Sequence, residues 1–275
     1  MRAAFRVGYR AEGFFGYATQ PGKPTVHKLL EEGLRRSQAL SPTAHVAVAS
    51  RTDRGVHALG NVIAFDSPLS APSVASLLNA LDPRIFCFGY AHVPAGFDPR
   101  HARSRWYRYF LPAEGHDEAR LARVARLFEG EHDFASFSRR DNPPRETRRS
   151  LTRCTIHPEG RYLALDLVAP SFLWGQVRKI VASMLYVEEG RLAAETIEEA
   201  LLGPVCLTLP LAPPERLVLM DVAYDFPFTP VGGRLARRRG ALDESLAEVE
   251  LKAKLLGLFR EAVTEGPPRL SADSG

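Results

Sequence analysis

Residues 49–65 read Ala-Ser-Arg-Thr-Asp-Arg-Gly-Val-His-Ala-Leu-Gly-Asn-Val-Ile-Ala-Phe, a polar turn between two apolar runs. The pattern predicts one strand over 45–49 and a second over 61–65. The residues between them favour turns over sheet ladders: Ser50, Thr52, Asp53 and Gly55. Such a turn presents Asp53 at a strand end, where the guanidinium groups of Arg51 and Arg54 would keep its carboxylate ionised. An ionised Asp can act as a nucleophile or a base; the alternative is a surface hairpin whose Asp only caps its own turn.

The composition is that of an ordinary globular protein. With 275 residues and 45% hydrophobic content, the chain can bury one large core or two small ones. No apolar run approaches the roughly 20 residues that span a bilayer, and the N-terminus enters a strand pattern and not a signal peptide. We therefore expect a soluble, cytoplasmic protein with no membrane partner. Three widely spaced cysteines favour buried thiols over a disulfide framework or a metal site: Cys87, Cys154 and Cys206.

The basic residues are mostly arginine. Of 36 basic side chains 31 are Arg and 5 are Lys, with a formal net charge of +4 and a pI of about 9.1. Guanidinium groups pair with phosphate through two parallel hydrogen bonds and stack on bases, so this composition fits an RNA partner. A general use of Arg in ion-pair networks would give the same composition, and charge alone leaves both explanations open.

The predicted elements repeat one order. The first half has a strand over 3–9, a helix over 25–38 with Thr25 as N-cap, the hairpin around Asp53, a helix over 73–81 and a strand over 84–91, which is the ferredoxin-like order. The second half has a strand over 103–111, a helix over 118–128, a hairpin over 151–168, helices over 172–189 and 195–202, and a strand over 216–225. We predict halves at 1–102 and 103–230, followed by an appendage at 231–275 made of a basic linker over 232–240, a helix over 242–263 and a disordered tail.

Two segments interleave aromatic and basic residues. On the strand over 103–111, Arg105, Tyr107 and Tyr109 share one face, which predicts either a base-stacking surface or an edge strand with extended arginines. In the loop over 10–17, we expect Phe14 in the core, whereas Phe15 and Tyr17 could stack on unpaired bases.

A basic loop follows in the second half. Five arginines occur within the eleven residues 139–149, beginning with Arg139 and Arg140. The loop is either a phosphate clamp or a solvated segment.

Three polar residues from distant segments, Asp53, Tyr107 and Arg178, complete a recognisable pattern. With their neighbours they resemble the tRNA pseudouridine synthase A family. The specific signature is Arg51-Thr-Asp53-x-Gly55-Val56-His57-Ala58. Supporting motifs fall in order over about residues 3–228: the loop of Tyr9 to Tyr17, Asn79-Ala-Leu-Asp-Pro83, Arg105-x-Tyr107-Arg-Tyr109, His132-Asp133-Phe134-x-Ser136-Phe137 and Phe172-Leu-x-x-x-Val177-Arg178-x-Ile180.

The resemblance implies an α+β pseudouridine synthase fold, in which two ferredoxin-like halves share a mostly antiparallel central sheet flanked by helices. It implies a homodimer with a basic cleft that grips tRNA, and neither a cofactor nor a metal. The implied reaction isomerises uridine to pseudouridine in the anticodon stem-loop, at about positions 38 to 40 of tRNA, after the base flips out of its stack.

The resemblance also implies roles for single residues. Asp53 would be the nucleophile, attacking ribose C1′ or uracil C6; Tyr107 would stack on the target uracil and could help remove the C5 proton; Arg178 would pair with Asp53. A carboxylate suits this chemistry because cleavage of a glycosidic bond passes through a cation-like sugar. The residues expected to contact the RNA are Arg51, Arg54, His57, Tyr107, Arg139 and Arg140.

The chain departs from the family pattern before the helix arginine. Many members have a His and a Met where this chain has Trp174-Gly175-Gln176, and Tyr17 is not followed by Gln. These changes concern the pocket wall and leave the choice of uridine open. Two other functions compete with the isomerase: a tRNA-binding protein of the same fold without catalysis, and an unrelated hydrolase using Asp53 and His57, which the absence of a nucleophile elbow disfavours.

Overall fold

The computed structural model describes residues 1–41, 43–140, 146–203, 205–232 and 234–265. The chain forms two compact units, Met1–Val231 and Gly232–Gly275. The first half of the first unit contains β1 (Arg2–Tyr9), α1 (Val26–Arg36), β2 (Ala47–Val48), β3 (His57–Asp66), α2 (Ala71–Leu81) and β4 (Ile85–His92). The second half contains β5 (Ser104–Pro112), α3 (Glu118–Arg126), β6 (Gly130–Asp133), β7 (Arg148–Leu151), β8 (Arg153–Glu159), β9 (Tyr162–Ala169), α4 (Gln176–Glu188), α5 (Ala194–Leu201), β10 (Leu217–Ala223) and β11 (Thr229–Pro230).

One large sheet runs through the first unit. Its strand order is β11-β4-β1-β3-β10-β5-β9-β8, with β2 paired to the far end of β3. The strands of the first half therefore lie in the order β4-β1-β3-β2 and those of the second half in the order β10-β5-β9-β8, the same arrangement twice. The described pairings are antiparallel except that of β3 with β10, which is parallel. The predicted mixed fold with a mostly antiparallel central sheet is confirmed.

Local sequence explains the first helices. Thr25 is the N-cap of α1 and its side chain accepts from the Lys28 amide at 3.3 Å, as predicted. The helix buries an apolar stripe that includes Leu30 and Leu34. Gly33 lies in the same buried face. A Cβ there would be 2.6 Å from a Leu81 methyl group, so α1 and α2 can approach this closely only with glycine at position 33.

Some predicted boundaries and placements are wrong. Helix α4 begins at Gln176 and not at 172, because Gly175 has φ +71, a left-handed conformation that interrupts a helix. The edge-strand interpretation of β5 is wrong, since β5 lies between β10 and β9. Phe14 is buried as expected, but Tyr17 is only 1% exposed and cannot stack on bases.

The basic segments also differ from expectation. The end of the arginine-rich loop belongs to β7, which pairs with β6, while residues 141–145 lie outside the described residues. Cys206 is exposed, unlike Cys87 and Cys154. In the second unit the predicted linker over 232–240 is wrong, because α6 (Arg234–Glu265) is helical from Arg234. A single Gly inside a run of Arg, Leu and Ala costs a helix only about 1 kcal/mol. The predicted tail lies outside the described residues.

Candidate active site

The loop that carries Asp53 is tied to the two strands beneath it. The buried Asn61 amide on β3 donates to the Ser50 carbonyl at 2.8 Å and accepts from the Ser50 amide at 3.3 Å. The same amide donates to the Tyr9 hydroxyl at 3.1 Å, and that hydroxyl lies 2.8 Å from the Thr52 hydroxyl. Burial raises the pKa of Tyr9 above its ordinary value, so its phenol stays neutral. The residues directly before Asp53 are therefore fixed by a buried hydrogen-bond network.

The other side of the loop rests on the segment after β1. The Tyr17 amide donates to the Thr52 carbonyl at 3.0 Å, and the Val56 amide donates to the Asp53 carbonyl at 3.2 Å. Gly16, at φ +93, lies so close to the Asp53 loop that a Cβ there would be 3.0 Å from the backbone nitrogen of Arg54. Asp53 thus stands on a short turn held from both sides.

Each carboxylate oxygen of Asp53 has its own donor. Arg178 Nη1 donates to Oδ2 at 3.0 Å, and the Trp174 indole Nε1 donates to Oδ1 at 3.1 Å. The Asp53 side chain is 24% exposed and that of Arg178 13%. Arg178 is anchored in turn, because its Nε donates to the Ala212 carbonyl at 2.7 Å. A partly buried carboxylate with two hydrogen-bond donors is kept in one orientation beside a cation.

The expected pairing of Asp53 with its sequence neighbours is wrong. The Arg54 guanidinium lies over the Phe15 ring, 4.3 Å from the ring centroid, and Arg51 is exposed. Adjacent residues of an extended or turning backbone point in different directions, so proximity in sequence did not bring these guanidinium groups onto the carboxylate. The ion pair comes instead from Arg178, as the family resemblance implies.

Tyr107 lies on β5, across the centre of the sheet from the Asp53 loop. Leu219 on β10 is paired with Tyr107 on one side and with Ala58 on β3 on the other. Tyr107 is 8% exposed, and its ring makes an edge contact with Phe172 at a centroid distance of 5.2 Å. Burial raises the pKa of Tyr107; a hydrogen bond with the Ser50 hydroxyl opposes this shift and the nearby charge of Asp53 adds to it. The phenol is therefore neutral and lies close to Asp53.

Arg105 was expected on a base-stacking surface but lies in the core. Its guanidinium donates to the Ser50 hydroxyl at 3.1 Å, the Ala49 carbonyl at 3.0 Å and the Arg100 carbonyl at 2.8 Å, and also to the Pro170 carbonyl. Burial lowers the pKa of Arg105 from its ordinary value. One side chain thus connects the Asp53 loop, the segment between the halves and the segment before α4. The alternation of Arg105 with Tyr107 and Tyr109 on one strand face fits a buried position and an RNA-facing position equally well.

The remaining predicted site residues have no described contact with Asp53. Arg139 stacks over the Trp174 ring at 4.0 Å, and Arg140 is exposed. His57 is the first residue of β3, and its Nδ1 accepts from the Ala11 amide at 3.2 Å. The structure therefore brings together Asp53, Tyr107 and Arg178. Sequence reasoning missed Trp174 as a partner of Asp53, although it had noted this position as unusual.

The described residues show neither a metal site nor a membrane-spanning helix. They contain no group of three or more His, Cys, Asp or Glu side chains arranged to hold a metal ion. No helix among them is long and apolar enough to cross a membrane.

Comparison with known proteins identifies the family. The tRNA pseudouridine synthase A of Pyrococcus abyssi is 36% identical over 264 residues, covering 94% of this chain and 97% of that protein. The chain belongs to the tRNA pseudouridine synthase family. This is a family of isomerases, and the resemblance seen in the sequence is confirmed.

Other matches agree with this assignment. The profile of the tRNA pseudouridine synthase family matches residues 124–225. The tRNA pseudouridine synthase A of Methanocella arvoryzae is 38% identical over 229 residues, covering 82% of this chain and 85% of that protein. Among solved structures, a chain of a Cbf5-Nop10-Gar1 complex has 13% identity and a TM-score of 0.37, covering 79% of this chain and 58% of that chain, a likeness too remote to inform the site.

Proposed function

We propose that this protein isomerises uridine to pseudouridine in tRNA, with Asp53 as the nucleophile. The observation that carries the proposal is the Asp53 carboxylate at the centre of the sheet, held at one oxygen by Arg178 and at the other by Trp174. Arg178 balances the charge of the carboxylate in a partly buried site.

The reaction fits a site of this kind. The bond from ribose C1′ to uracil N1 breaks, a bond from C1′ to C5 forms, C5 loses a proton and N1 gains one. Cleavage develops positive charge on the sugar, which a fixed carboxylate stabilises electrostatically or by forming a covalent bond. The proposal includes both attack by Asp53 on ribose C1′ and attack on uracil C6, because either step uses the same fixed carboxylate.

Tyr107 is assigned to holding the target base. Its ring is largely buried against Phe172, so it offers a fixed surface for a flipped uracil rather than a mobile one. Removal of the C5 proton by Tyr107 would require the phenolate, and burial disfavours that form by raising the pKa of Tyr107. Of the two roles that the family resemblance implies for this residue, stacking is the better supported.

The RNA grip is assigned to the arginines and His57 around the Asp53 loop. Arg54 on Phe15 and Arg139 on Trp174 place guanidinium groups over aromatic rings at the rim, where cation–π stacking holds them for phosphate contacts. Arg51, His57 and Arg140 complete the proposed contact surface. The anticodon stem-loop as the target, base flipping and a homodimer belong to the same proposal and rest on the family resemblance. A cytoplasmic location belongs to it as well, because the proposed substrate is tRNA.

The test uses an unmodified tRNA transcript. Purified protein is incubated with it, and pseudouridine is mapped by primer-extension stops after carbodiimide treatment. We expect new stops with the parental protein and a loss of roughly a thousandfold or more in rate for Asp53→Asn, as for removal of a nucleophile. Asp66→Asn, the same change at an exposed strand end, should leave the rate unchanged. Binding of tRNA without any new stop would instead support a tRNA-binding protein without catalysis.

A further inference from the structure

The chain has two tryptophans, and only one of them contacts Asp53. Trp174 lies in the segment between β9 and α4 and is 43% exposed, with its indole N–H on Asp53 Oδ1 at 3.1 Å. Trp106 instead donates to Asp166 at 2.6 Å, with its side chain on the other face of β5 from Tyr107. An exposed indole would ordinarily change its rotamer freely, so the contact of Trp174 with Asp53 requires something to hold the ring.

Arg139 and Gly175 hold the ring. The Arg139 amide donates to the Trp174 carbonyl at 2.8 Å, and the Arg139 guanidinium lies 4.0 Å from the centroid of the indole. Gly175, at φ +71, allows this approach, because a Cβ there would be 3.2 Å from Arg139 Cγ and 3.0 Å from a Leu211 methyl group. The indole is thus fixed by backbone and side-chain contacts that do not involve Asp53.

The two donors to Asp53 differ in charge, and this difference has a chemical consequence. Arg178 is cationic and anchored on the Ala212 carbonyl. Trp174 is neutral, so it fixes the second oxygen without adding a second positive charge that would make the carboxylate a weaker nucleophile. A carboxylate held at one oxygen alone could still rotate about its terminal torsion, which has a broad energy profile.

We propose that Trp174 is a positioning residue for Asp53: its indole N–H fixes Oδ1 in the orientation for attack, and Arg139 keeps the indole in place. The inference rests on the proposed role of Asp53 as the nucleophile. It assigns to Trp174 an effect on the rate of the chemical step and little effect on the binding of tRNA.

The first test compares two variants that differ in the N–H. Trp174→Phe keeps an aromatic ring for Arg139 but removes the donor, whereas Trp174→His keeps a ring N–H. With saturating unmodified tRNA, we expect the single-turnover rate of Trp174→Phe to fall roughly tenfold, the lower end of what one hydrogen bond to a charged group contributes. The dissociation constant for tRNA, from filter binding, should change less than about twofold, and Trp174→His should recover most of the rate. Trp106→Phe is the matched control and should keep the parental rate.

Parental turnover in Trp174→Phe, or no recovery in Trp174→His, would overturn the inference while leaving the proposed function in place. Loss of tRNA affinity with an unchanged single-turnover rate would also overturn it, because Trp174 would then be a stacking surface for RNA. If the parental protein forms no pseudouridine on any tRNA, the proposed function fails.

The contact itself is tested without activity. In the Trp106→Phe background Trp174 is the sole indole, and adding Asp53→Ala should shift its emission because the charge beside the indole N–H is removed, whereas its quenching by acrylamide should change little because Arg139 still holds the ring. An unchanged emission would show that the two side chains are not in contact in solution.

Discussion

Gly16 offers a direct test of how the Asp53 loop is held. It has φ +93 and faces the backbone of that loop: a Cβ built on it would be 3.0 Å from the Arg54 nitrogen, 3.1 Å from the Thr52 carbonyl oxygen and 3.2 Å from the Asp53 carbonyl carbon. These atoms are backbone and cannot move aside by a change of rotamer. The loops also cannot simply separate, because the Tyr17 amide is bonded to the Thr52 carbonyl at 3.0 Å.

Gly16→Ala therefore has two costs. The left-handed conformation costs an L-residue roughly 1–2 kcal/mol. The close contacts force the backbone around Asp53 to shift by a few tenths of an ångström, because ordinary van der Waals contact begins at 3.4 Å. We expect a total loss of about 2–3 kcal/mol of unfolding free energy. Since a displacement of about 1 Å at a reacting group can cost a hundredfold, the turnover rate should fall roughly tenfold.

Gly22 provides the matched control. It lies on the same long loop at φ +66, but a Cβ there meets nothing within 4 Å. Gly22→Ala should lose about 1 kcal/mol from its conformation alone and keep the parental turnover rate. Urea denaturation measures the stabilities, and single-turnover formation of pseudouridine with saturating tRNA measures the rates. If Gly16→Ala turned over as fast as Gly22→Ala, the claim that this contact positions Asp53 would be refuted.

Three further predictions concern other parts of the unit. Arg105→Met should lower the free energy of unfolding, measured by urea denaturation, by about 3 kcal/mol, because it leaves buried carbonyls without donors. Arg105→Lys should recover only part of this loss because an ammonium group lacks the guanidinium fork. Equal stability of the Lys and Met variants would contradict this prediction. Burial opposes the charge of Asp166, but hydrogen bonds from Arg108 and Trp106 outweigh this effect and lower the pKa of the carboxyl. The stabilisation that Asp166 contributes is therefore complete above the ordinary pKa of about 3.9 and is lost as the pH falls through the lower pKa of the folded state. In urea titrations at successive pH values, Asp166→Asn should be less stable than the parent at pH 7 but should lose less stability on acidification. Replacing the exposed Arg51 and Arg140 by Ala should weaken tRNA binding and reduce the slope of log affinity against log salt by about 1–2, since each lost phosphate contact releases about one counterion fewer; an unchanged slope would place both side chains off the RNA.

Features that depend on neighbouring residues were predictable from the sequence. The N-cap of α1, the turn carrying Asp53 and the order of the predicted elements follow from spacings of a few residues, and the structure confirms them. The short strands β6, β7 and β11 were not predicted. Gly55 is one example: it lies two residues after Asp53, and its φ of +85 is a conformation that glycine adopts readily in a turn. Local periodicity and turn chemistry act over such distances.

The partners of Asp53 could not be derived in the same way. Trp174 is 121 residues away in sequence and Arg178 is 125, so only the folded sheet brings them to the carboxylate. Sequence reasoning assigned the ion pair to Arg51 and Arg54 because they were adjacent, and adjacency was misleading. Arg178 was found through the family resemblance, and the indole contact had no local signal at all.

Arg105 shows a second limit of the same kind. An arginine among aromatic residues on a strand is typical of an RNA-facing surface, and nothing in its own sequence neighbourhood distinguishes that surface from a buried position. What places Arg105 inside is the presence of backbone carbonyls from three segments to accept its hydrogen bonds, one of them from Ala49, 56 residues away. Buried arginine is favourable only where such acceptors converge, and that convergence is a property of the tertiary fold.

The joint between the two halves is where stability and the proposed chemistry meet. Strands β3 and β10 join through two paired positions, Val218 with His57 and Leu219 with Ala58. Asp53 precedes this joint in the first half, whereas Tyr107, Trp174 and Arg178 come from the second half, so neither half contains a complete site. Arg105 spans the joint by binding both Ala49 and Pro170, and Arg178 is anchored on Ala212, shortly before β10. A change that loosens this short parallel pairing should therefore separate Asp53 from its donors before it unfolds either half, which makes turnover a more sensitive measure of the joint than stability.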